Sequence, residues 1–73
     1  MSDKENKFKE IASRRVNNIL KNIDSLEKCS NIYNYEYSKK DIDAIFKRIE
    51  DKIKLSKASF QIGLDKKSDK FKL

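Results

Sequence analysis

The chain has 73 residues, 41% of them charged, with a formal net charge of +6 and a mean hydropathy of −0.88. That length allows one small domain with a modest interior. Histidine and proline are absent and Cys29 is the one cysteine, which excludes an internal disulfide, an imidazole base and a metal site built from His or several Cys.

The first predicted element opens at Ser2, followed three residues later by Glu5, the spacing of a capping box. Ala12, Val16, Ile19, Ile23 and Leu26 then recur at intervals of 4, 3, 4 and 3. This is the seam of an amphipathic helix, widened by Phe8, Ile11 and Leu20. The helix is expected over about 3–28 and to stop at Cys29-Ser30-Asn31, where Asn31 is suited to a left-handed cap.

On the outer side of this helix, Arg14, Asn17, Asn18 and Lys21 share one face, because spacings of 3, 4 and 7 return to the same side. Arginine and asparagine are well shaped for phosphates and base edges. The same residues are also what a solvated face in an Asn-rich chain looks like, and the two possibilities stand side by side.

The segment 29–37 is predicted to be a connector carrying Tyr33, Tyr35 and Tyr37 at alternate positions. In an extended chain the three rings fall on one side. They are expected to act as a packing latch across the end of a helix pair, or as an aromatic patch for a protein partner or for unstacked bases.

A second helix is expected over about 39–61. Ser38 and Asp41 supply its cap, and Ile42, Phe46, Ile49, Ile53, Ser56 and Phe60 repeat the 4-3-4-3 spacing. Lys40, Lys47 and Lys54 form a basic line, and Asp43, Glu50 and Asp51, at i+3 and i+4 positions, are placed to pair with those lysines. Lys54 and Lys57 are expected near its C-terminal end. Residues 63–73, beginning at the only glycine, Gly63, are expected to be a flexible basic tail.

The fold class predicted is therefore all-α. Residues 1–62 form an antiparallel two-helix hairpin. Two helices bury too little to stand alone, so a homodimer forming a four-helix bundle is expected. Cys29 follows Lys28 near a helix C-terminus, has no His partner to activate it, and reads as a small apolar filler. The chain is expected to be no enzyme and to use no cofactor. No apolar run approaches the roughly 20 residues of a membrane span, and the charged start has no apolar signal core. A cytosolic protein without a membrane partner is expected.

The positive charge has two possible origins. Most of it is lysine in a chain rich in Ile and Asn and poor in Ala, the composition of an AT-rich genome. It is also evenly spread, with seven basic against five acidic residues in 1–30, seven against five in 31–60 and four against two in 61–73. Nucleic-acid binding thus stays open as the alternative to an interaction module.

Phe8, Ile11-Ala12, Arg15-Val16, Ile19-Leu20, Ile23, Leu26, Ser30-Asn31, Tyr35-Glu36-Tyr37-Ser38, Asp41-Ile42, Ile45-Phe46, Glu50 and Phe60 together form a pattern with an "SN…YEYS…DI…IF" core. Across about residues 8–60 it resembles short bacterial open reading frames of phages, plasmids and other mobile elements, to which no function is attached. The resemblance implies a reusable module and transfers no active site. It fits a small regulator or an inhibitor of a host defence complex that acts by occupying a surface.

Overall fold

The computed structural model describes residues 2–68, all of whose regular structure is helical. Helix α1 spans Asp3–Glu27, a short 3₁₀ turn follows over Lys28–Ser30, and helix α2 spans Lys39–Ser68. The chain divides between Glu36 and Tyr37 into two units, one holding each helix.

In the first unit, Ser2 is extended and its hydroxyl accepts the Glu5 N–H at 3.2 Å. Its carbonyl takes the Glu5 and Asn6 N–H groups at 3.1 and 3.2 Å. The Glu5 carboxylate does not complete a reciprocal box, because it lies 3.2 Å from Lys9 Nζ one turn on. Asp3 and Glu5 in the first turn oppose the helix dipole. At the other end the helix tightens into the 3₁₀ turn, which uses carbonyls that α-geometry would leave free.

Asn31 departs from the left-handed cap expected of it. Its φ is −66° and its ψ 103°, and no described residue has positive φ. Asn31 turns the chain with its side chain instead, as its Oδ1 accepts the Tyr33 N–H at 2.9 Å. Its carbonyl accepts from Asn34 at 3.2 Å and Tyr35 at 3.0 Å. Cys29, expected as a filler, is an exposed free thiol.

In the second unit, Ser38 and Asp41 make a full reciprocal box. The Asp41 N–H donates to Ser38 Oγ at 3.1 Å, and the Ser38 N–H donates to Asp41 Oδ2 at 2.9 Å. The Ser38 backbone N–H, and after it the Ser38 side chain, hold the Asp41 carboxyl below its usual pKa. Asp43 pairs with Lys39 at 3.2 Å and Asp51 with Lys47 at 3.3 Å. Lys40 is thus not the partner of Asp43.

Helix α2 continues seven residues past the expected end at 61. Gly63 adopts ordinary helical backbone, and a Cβ there would meet nothing within 4 Å. One glycine costs a helix about 1 kcal/mol relative to alanine, and the helix runs on through it to Ser68. The Gln61 amide spans the glycine to Asp65 Oδ1 at 3.1 Å. Lys66 and Lys67 occupy the last turn, so Lys54 and Lys57 lie inside the helix instead of at its end. The remainder of the expected tail, 69–73, lies outside the described residues.

Candidate functional site

Each helix carries its apolar residues on one stripe. With about 100° of rotation per residue, Ala12, Val16, Ile19, Ile23 and Leu26 fall together on α1. Ile42, Phe46, Ile49, Ile53 and Phe60 do so on α2. Among the described residues no side chain is buried. Ile11, Ala12, Ile23, Leu26 and Ile49 are half-buried, while Ile53 and Phe60 are 57% and 60% exposed.

The longer α2 adds residues that spacing had not offered. Leu64 follows Phe60 by four and extends the stripe by a turn. Leu55, Ala58 and Ile62, spaced by 3 and 4, form a second short apolar line on the far side of the same helix. The signal for Leu64 is present in the spacing and is masked when Gly63 is taken as a stop.

Arg14, Asn17, Asn18 and Lys21 are brought together as expected, on one exposed face of α1. Glu10 lies one turn before Arg14 on that face, and Asp24 lies one turn after Lys21. With Asp3 and Lys7 on the same side, acidic and basic residues are interspersed along this face, an interleaving poorly matched to a polyanion.

The three tyrosines do not share the extended strand expected of them. Residues 32–34 form a turn, because Asn31 gathers the N–H groups of Tyr33, Asn34 and Tyr35. Tyr33 at the turn is 92% exposed, Tyr35 is 53% and Tyr37 is 38%. Tyr33 and Tyr35 belong to the unit of α1, and Tyr37 to that of α2.

Among the described residues no three of His, Cys, Asp or Glu are grouped as metal ligands would be. No helix among them is long and apolar enough to cross a membrane. No family model, curated protein or solved structure matches the chain.

Proposed function

We propose that this protein is a non-enzymatic interaction module that works as a homodimer. Helices α1 and α2 fold back antiparallel, and two such hairpins close their seams into a four-helix bundle. The outer surface then occupies a protein partner, in keeping with a regulatory or inhibitory role. One observation carries this: two well-capped helices present apolar stripes, broken on α2 by Ser56 alone before Gly63, and no side chain of either is buried among the described residues. Contiguous apolar surface of that kind marks an association site. Tyr33 and Tyr35 and the Arg14–Lys21 face are the surfaces left for the partner.

Size-exclusion chromatography with light scattering at about 100 μM is expected to give a dimer mass. Ile53→Asp, which places a charge in the α2 stripe, is expected to give a monomer, because an unpaired charge is costly in an apolar interface. A well-folded monomer of the unaltered chain overturns the proposal.

A second function is nucleic-acid binding through Arg14, Asn17, Asn18 and Lys21, favoured by their convergence on one face. It requires affinity for DNA or RNA that falls steeply with salt and is lost in the Arg14→Glu/Lys21→Glu variant. Absence of binding near physiological salt eliminates it.

A further inference from the structure

Gly63 and Glu50 are both out of place in α2. The helix runs through Gly63 with ordinary backbone dihedrals, and a Cβ would meet open space. Nothing among the described residues asks for a glycine there, and glycine weakens a helix interior. Yet it falls on the apolar stripe, seven residues after Ser56 and three after Phe60. Glu50 is the other oddity. Of the five acidic residues of α2, Asp41 caps the helix, Asp43 and Asp51 hold lysines, and Asp65 holds Gln61. Glu50 alone has no such bond among the described residues, and Lys57 is likewise outside every ion pair found.

Glu50 and Lys57 border the same edge of the stripe, seven residues apart. Two turns of helix separate them by about 10.5 Å along the axis, too far to pair within one copy. Four of the five acidic residues of α2, Asp41, Asp43, Glu50 and Asp51, lie in its first half, among basic residues, and Asp65 alone lies in its second.

We infer that α2 docks antiparallel on α2 of a second copy, about a two-fold axis passing between Lys54 and Leu55. This deepens, and rests on, the homodimer proposed above by naming its central interface. In an antiparallel helix pair, positions on the same edge face one another across the seam. Centred there, the register sets Glu50 against Lys57 of the second copy, and symmetry repeats the pair. The same register layers Ile49 with Phe60 and Ile53 with Ser56. It also sets Phe46 opposite Gly63, where the missing side chain leaves room for the ring. The Glu50–Lys57 placement and the glycine thus point to one geometry. Parallel docking satisfies neither, since it sets Lys52 against Lys57 and stacks each glycine on its own copy.

The test is the dimer dissociation constant of the full chain by sedimentation equilibrium, with helicity checked by circular dichroism. Lys57→Glu is expected to raise the constant about tenfold, and Glu50→Lys/Lys57→Glu to restore it to within about threefold. Gly63→Leu is expected to weaken the dimer while raising helicity in dilute solution, and Phe46→Ala added to it to recover part of the loss. A Lys57→Glu variant that dimerises as well as or better than the unaltered chain, or one not rescued by Glu50→Lys, overturns the α2 pairing and leaves the homodimer standing. An unaltered chain that stays monomeric overturns both.

Discussion

Asn31 and Asp41 show how single polar side chains settle what apolar spacing leaves open. Tyr33, Tyr35 and Tyr37 alternate as strand residues do, yet one amide that bonds the Tyr33 N–H is enough to bend the chain there. Whichever of the three rings packs, Tyr33 is the least suited, at 92% exposure. Asp41 works at the other end of the connector. Its carboxylate accepts the Ser38 N–H and sits in the first turn of α2, so ionisation is favoured and the carboxyl pKa is lowered. A group with a depressed pKa in the folded state adds stability above its unfolded value of about 3.9, and loses it as pH falls through the folded value. Thermal stability followed by circular dichroism from about pH 5 to about pH 2 should therefore fall with acid. In Asp41→Asn, whose amide oxygen still accepts but does not titrate, the acid loss should be smaller. Equal slopes for the two proteins would remove Asp41 from the linkage.

At the scale of elements, Gly63 separates what spacing reveals from what it conceals. Both helix starts were legible, because a cap hydroxyl satisfies a free amide of the first turn through local chemistry, reciprocated by a carboxylate at Asp41 though not at Glu5. The seams were legible for the same kind of reason, since a sustained 4-3 rhythm of apolar residues matches the helical period and not the strand period. The end of α2 was not. A glycine ends a helix when it adopts positive φ, and no dihedral at Gly63 does so. Whether a glycine stops or continues a helix depends on the residues beyond it, and Leu64 to Lys67 form a tolerable turn with lysines at its favourable end. The tyrosine face of the connector was misread for a related reason, as alternation cannot register a side-chain bond to the backbone. Gly63→Ala should raise helical content in dilute solution and stabilise α2 by about 0.5–1 kcal/mol, since the methyl meets open space within the chain. The measurement is ellipticity at 222 nm below about 1 μM. No change would indicate that α2 ends before Gly63 in solution.

For the molecule as a whole, the main constraint is that neither helix buries a side chain among the described residues. Isolated helices are weakly stable in water even at favourable composition. The three i,i+4 ion pairs among the described residues, on exposed side chains, add only a few tenths of a kcal/mol each. The apolar stripes must therefore supply most of the stability of an ordered state, and an interface between copies makes that supply depend on mass action. The expected outcome is a melting temperature that rises with protein concentration. Each tenfold increase contributes about 1.4 kcal/mol to the stability of a dimer that unfolds directly to separate chains. Melting by circular dichroism from about 5 to about 500 μM covers two such steps. Ile53→Asp should abolish the dependence together with most of the ordered signal, because it charges the middle of the α2 stripe. Tyr33→Ala should leave it intact, since that ring lies on the exposed turn of the connector. A melting temperature that does not move with concentration, in a cooperative transition, would mean that one copy satisfies its own seams. The apolar surface would then belong to the inside of a monomer and not to an interface between copies.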